Sequence, residues 1–124
     1  MSAGIVIVGL GPGDPGQITL EAWRTLEGAS EVYLRTARHP TVAGLPNGPA
    51  YPSFDQVYEA GASFAEVYEC IAQRVVELGK RPQGVIYAVP GHPLDGEISV
   101  TRILALAQDM ALPVRVISGM SFIE

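Results

Sequence analysis

A chain of 124 residues suffices for one domain that buries roughly two thirds of the surface its unfolded form exposes, so no staple is required. The single cysteine, Cys70, excludes an internal disulfide, and two histidines, His39 and His92, give no metal-ligand spacing, so no metal is expected. A net charge of −5, with eight Lys and Arg scattered along the chain, argues against a nucleic-acid partner; no segment reads as a signal peptide or membrane span, and the expected location is cytoplasmic.

The first element is Ile5 to Asp14, IVIVGLGPGD, in which four β-branched residues run straight into Gly9, Gly11 and Gly13. Such a run reads as a strand buried on both faces of a parallel sheet and closed by a tight turn. Thr19 is placed to cap a helix with Glu21 in its first turn, Leu20, Trp23 and Leu26 as an inward stripe and Gly28 at its end. A second strand, Val32-Tyr33-Leu34, meets the polar stretch Arg35 to Pro40, and a loop punctuated by Gly44, Pro46, Gly48 and Pro49 follows. Tyr51 to Phe54 reads as a short strand, which Pro52 assigns to an edge because it has no amide to give. A helical turn runs from Asp55 to Tyr58.

Ser63-Phe64-Ala65-Glu66 is a capping box. The helix behind it places Phe64, Val67, Tyr68, Ile71, Val75 and Leu78 on one face and stops at Gly79, before Pro82. Val85 to Val89 is a strand that runs into Pro90-Gly91-His92-Pro93. A helix then starts near Gly96 or Glu97, buries Val100, Ile103, Leu104, Ala107 and Met110, and ends before Pro113. Val114 to Ser118 is the fifth strand and runs into Gly119-Met120-Ser121. The last residues, Ser121 to Glu124, open a further helix, which suggests one lobe of a larger protein. Alternation of strands and helices predicts an α/β domain over residues 1–124, with a mostly parallel five-stranded sheet and helices on both faces.

Three strands that end in glycine-containing turns place those turns along one edge of such a sheet, where open α/β folds bind ligands. Pro12, Gly91 and Ser121 then form the floor of one pocket. Gly11, Gly13 and Gly16 also satisfy the dinucleotide pattern GxGxxG. Against that reading, Asp14 and Pro15 stand where a pyrophosphate needs free amides, and Arg35 rather than a carboxylate follows the second strand.

The stretches GLGPGDPGQIT, YAVPGHP and ISGMS resemble the amino-terminal lobe of tetrapyrrole methylases, S-adenosylmethionine-dependent enzymes that modify corrin and porphyrin precursors. LRTARHP, YPSFD and YAVPGHPL are most similar to the methylase domain fused to MazG-type nucleotide pyrophosphohydrolases, and the resemblance runs from Ile5 to Phe122. It implies a methyltransferase whose cofactor, S-adenosyl-L-methionine, lies between this lobe and a second, carboxyl-terminal lobe. By matching motifs, the cofactor contacts fall on Pro12, Pro90, Gly91, His92, Asp95, Ser121 and Phe122. The implied acceptor is a tetrapyrrole-like small molecule, with Arg35 and Arg38, beside His39, facing its carboxylates. His92 departs from the family's common aspartate, and Leu34 and Arg35 stand where several members carry a candidate base. The second departure keeps open a non-catalytic, ligand-sensing domain that serves a fused pyrophosphohydrolase. Partners are thus a second lobe, that fused domain and, through an apolar face left bare, a second copy in a homodimer.

Bland roles compete for most of these residues. The Arg35–His39 loop can be merely solvated, His92 can cap the helix after it, and Asp14 can bond the amides of its own turn. Tyr33, Tyr58, Tyr68 and Tyr87 read as core residues, Cys70 as packing, and Glu59, Glu66 and Glu69 as a solvated helix face.

Overall fold

The computed structural model describes residues 3–60, 63–94 and 97–120. Four strands form one sheet: β1 (Ile5–Gly9), β2 (Tyr33–Leu34), β3 (Val85–Val89) and β4 (Val114–Ile117), in the order β2-β3-β1-β4. Every pairing is parallel, with Ile7 opposite both Tyr87 and Val116, and Leu34 opposite Ala88. The central strands are buried on both faces, which explains their unbroken apolar runs. Helix α1 (Leu20–Glu27) packs Ala22 and Leu26 on the face carrying Val8, Leu10, Ile86, Ala88 and Ile117. On the other face α3 (Phe64–Gly79) and α4 (Ile98–Asp109) cover Ile5, Ile7, Val85, Tyr87 and Val89. A short helix, α2 (Asp55–Glu59), precedes α3. Among the described residues no helix is long and apolar enough to cross a membrane.

The expected edge strand, Tyr51–Phe54, is not a strand, which leaves four of the five. It runs beside β2 and touches it through isolated parallel bridges, Glu31 to Ala50 and Leu34 to Ser53. Its backbone follows a parallel ladder: the Ala50 amide donates to Ser30, Val32 to Ala50, Leu34 to Pro52 and Phe54 to Leu34. The missing rung is the one Pro52 would donate, so a single proline reduces a ladder to bridges.

Three residues assigned to buried faces are exposed: Leu20 at 62%, Phe64 at 72% and Met110 at 48%. A stripe at i, i+3, i+6 drifts around the axis, so α1 cannot bury Leu20 together with Leu26 and turns Ala22 inward instead. Phe64 and Met110 fail for a different reason. Helix α3 runs ~24 Å against ~17 Å for a five-residue strand, so its first turn overhangs the sheet, and Met110 lies beyond the end of α4. Phe64 stacks on Tyr68 at 6.3 Å instead. The caps hold as expected: Thr19 Oγ1 accepts from the Ala22 amide at 3.1 Å, and Ser63 Oγ from Glu66 at 3.3 Å. The Glu66 carboxylate takes the Ser63 hydroxyl rather than a backbone amide.

Candidate functional site

Because all four strands are parallel, the residues that follow them collect on one edge. There the backbones of three loops touch directly. A Cβ placed on Gly9 would lie 2.6 Å from the Gly91 carbonyl oxygen and 2.7 Å from the Gly119 nitrogen. One on Gly119 would lie 2.3 Å from the same oxygen and 2.8 Å from Gly9 backbone atoms. No side chain fits there, so glycine at Gly9 and Gly119 is a packing requirement. Gly11 and Gly91 then pair in a short antiparallel bridge, amide to carbonyl both ways at 3.2 and 2.8 Å, with φ of 77° and 67° that suit glycine. The Thr19 hydroxyl, besides capping α1, donates to the Ser118 carbonyl at 3.1 Å, which ties the start of α1 to the end of β4.

The turns of β1 and β3 therefore do meet. Pro12 and His92 are half-buried on the outer side, while Pro90 and Gly91 are buried beneath. The β4 turn joins them through Gly119; Asp95, Ser121 and Phe122, expected at the same pocket, lie outside the described residues. His92 Nδ1 accepts the Leu94 amide at 3.1 Å, so the imidazole braces its own turn rather than capping α4. Asp14 accepts the Gly16 amide at 2.9 Å and starts a 3-10 turn, Pro15–Gln17, which places the start of α1 well past the glycines. A second 3-10 turn, Pro40–Gly44, presses Gly44 against Pro15 and closes that side.

Arg35 follows β2 on the same edge. Its Nε lies 3.1 Å from Glu97 Oε2, and its Nη1 donates to the Tyr58 hydroxyl at 3.0 Å. Ser99 donates to Glu97 Oε1 at 3.1 Å, and its hydroxyl lies 2.8 Å from that of Tyr87 in the middle of β3. Burial pushes the Glu97 carboxyl up, opposed by the Arg35 charge and the Ser99 hydroxyl. Burial likewise raises Tyr87 and keeps it neutral. His39 is lowered by burial and by the Arg35 charge, against the pull of the Pro12 carbonyl, so it too is neutral. Arg38 reaches outward to Glu59 at 2.8 Å, both largely exposed. Glu97, Ser99, Tyr58 and Tyr87 are the residues that sequence reading left out of the site. Their only local signal was a glutamate at a helix start, and nothing near it in sequence pointed to Arg35.

A depression of about 500 Å³ lies at the opposite edge, lined by Gly4, Val6, Thr25, Ala29, Pro113 and Val114. The carboxyl edge gathers Arg35, Glu97, Tyr87 and His39, whose pKa values are shifted, and is the stronger candidate.

Comparison with known proteins identifies the family and the fold. The profile of the family described as Tetrapyrrole (Corrin/Porphyrin) Methylases matches residues 4–124. A Bacillus subtilis (strain 168) protein described as uncharacterized protein YabN is 36% identical over 125 residues, covering 100% of this chain and 25% of that protein. Uroporphyrin III C-methyl transferase from Thermus thermophilus superposes with a TM-score of 0.61 at 23% identity, over 95% of this chain and 45% of that one. The same Thermus enzyme is also known complexed with S-adenyl homocysteine, at a TM-score of 0.60 and 24% identity. Diphthine synthase gives a TM-score of 0.67 at 21% identity, again over 95% and 45%. At such identities the structural likeness shows the fold. The chain spans about half the length of these solved structures and a quarter of the Bacillus protein.

Proposed function

The chain belongs to the tetrapyrrole (corrin/porphyrin) methylase family, and we propose that it is the amino-terminal lobe of a methyltransferase that uses S-adenosyl-L-methionine on a small, tetrapyrrole-like acceptor. The observation that carries this reading is the glycine cradle, in which Gly9, Gly91 and Gly119 bring three strand ends into backbone contact. Its charge also suits the ligand. Arg35 is paired with Glu97, Arg38 with Glu59, and His39 is held neutral, so no unpaired cation among these residues would repel a sulfonium. The same features disfavour a dinucleotide: Asp14 and the imino nitrogen of Pro15 occupy the turn, and Thr19 already caps the first helix.

In this reading Pro12, Pro90, Gly91 and His92 would hold the cofactor from this side, with Asp95, Ser121 and Phe122 completing the set. The cofactor, when bound, supplies an electrophilic methyl group on sulfur. The chain's own residues place it and exclude water, and placement is worth several kcal/mol of barrier. Exposed Leu20, Phe64, Leu94, Ile98 and Met120 all belong to helix starts or strand-end turns on the carboxyl edge. That apolar fringe fits a second lobe of the same polypeptide, because the solved relatives are about twice as long. Calorimetry with S-adenosylhomocysteine tests the reading: tight binding to a two-lobed protein, with weak or no binding to residues 1–124 alone. Equal micromolar affinity in both would refute the shared cleft, and stabilisation by NAD(P) alone would replace the cofactor.

A second reading, a ligand-sensing domain serving a fused pyrophosphohydrolase, is favoured by the end of β2. There Leu34 is buried and Arg35 is committed to Glu97, so these two positions offer no free carboxylate to take a proton from an acceptor carbon. Turnover of any tetrapyrrole by the full-length protein would reject it.

A further inference from the structure

The carboxyl edge carries a chain of polar groups that the glycine cradle does not require. It runs from Tyr58 in α2 to Arg35 after β2, to Glu97 and Ser99 at the start of α4, and to Tyr87 inside β3. The side chains of Arg35 and Glu97 are only 20% and 12% exposed. Withdrawing such charges from water is costly, and an apolar pair of equal volume is often as stable. Glu97 also forgoes a second use. It is the N-cap residue of α4, yet its carboxylate makes no cap bond and turns to Arg35 instead. Stability alone does not account for this arrangement.

Its mechanical effect is specific. The Pro90–Pro93 turn follows β3, which lies beside β2, and α4 begins at Ile98. On one side Gly91 bridges Gly11; on the other Glu97, four residues beyond Pro93, is fastened by Arg35 to the end of β2. We propose that Glu97 and Arg35 are positioning residues of the methyl-donor pocket: the pair holds the α4 end of the His92 turn in place, so the pocket is formed before its ligand arrives. A preformed turn saves the ordering cost that binding would otherwise bear. Arg35, which the family resemblance placed on the acceptor, is thereby assigned to the scaffold. The proposal rests on the S-adenosylmethionine reading for its ligand but not for its geometry.

The test uses the full-length protein and the variants E97Q, R35M and E97Q/R35M, E97Q being nearly isosteric so that folding is preserved. Two quantities are measured, the Kd for S-adenosylhomocysteine by calorimetry and amide hydrogen exchange in the unliganded protein. The expected result is a Kd raised about tenfold in each single variant and no further in the double, since the two residues act as one unit. Exchange should quicken across residues 90–100 and not through β1 or α3. Unchanged affinity, additive losses, or acceleration spread evenly over the chain would overturn the proposal. If the unmodified protein does not bind S-adenosylhomocysteine, the cofactor reading fails, and local exchange alone decides whether the pair positions the turn.

Discussion

Replacing Gly119 with alanine puts the convergence of the three loops to a quantitative test. The new methyl would lie 2.3 Å from the Gly91 carbonyl oxygen and 2.8 Å from the Gly9 Cα and carbonyl carbon, all of them backbone atoms. No side chain can swing away, so Gly91 has to retreat by about 1 Å to reach an ordinary contact. That retreat strains both hydrogen bonds of the Gly11–Gly91 bridge. Overpacking costs 1–3 kcal/mol, and the weakened bridge adds to it, so the variant should lose about 3 kcal/mol or more. For a domain of this size that is a fall of about 10 °C in Tm. Urea denaturation followed by circular dichroism gives the free energy, and calorimetry with S-adenosylhomocysteine reports on the pocket, which should lose affinity in parallel. Gly28→Ala is the control: its Cβ meets only the Arg24 carbonyl at 3.6 Å in a right-handed helical conformation, and the change should be neutral or slightly stabilising. A Gly119→Ala variant within ~0.5 kcal/mol of the parent, with unchanged binding, would refute the cradle.

Other substitutions probe the remaining levels of the structure. Ser99→Ala should cost ~2 kcal/mol in urea unfolding because it strands the buried Tyr87 hydroxyl and removes a donor from Glu97, whereas Tyr87→Phe should cost about half as much. Thr19→Ala removes both the α1 cap and the tie to Ser118, for ~1 kcal/mol by the same assay. Ile71→Ala should cost ~3 kcal/mol, and Phe64→Ala, at an overhanging helix end, under ~0.5. Burial pushes the Asp55 carboxyl up, but hydrogen bonds from Thr36, Ala37 and Ser53 and the charge of Arg38 outweigh it and hold it below its ordinary value. The folded form then takes up this proton at lower pH than the unfolded form. The stability it contributes is present above the unfolded pKa and lost as pH falls through the folded one, so Asp55→Asn should flatten that part of a stability–pH curve.

Much of the architecture is a local property of the chain. Ile5–Gly9 and Val85–Val89 are legible because a strand covered on both faces needs apolar residues throughout, and α3 because its buried face recurs every turn. The capping residues Thr19 and Ser63 are legible for the same reason, since their partners lie three residues away. Once the strands are parallel, the meeting of the β1 and β3 turns follows. Other features could not be read this way. Whether Tyr51–Phe54 completes a ladder depends on which of its amides face β2, and Pro52 falls on one that does. Which residues of α1 turn inward depends on the sheet it packs against. The pairing of Arg35 with Glu97 depends on strand order, which sets β2 beside β3 and so brings the end of one against the helix that follows the other. Charge acts through space and hydrophobic patterning along the chain, so the frame of the site could be read residue by residue, while the contacts that hold its turns in place exist only once the sheet has assembled.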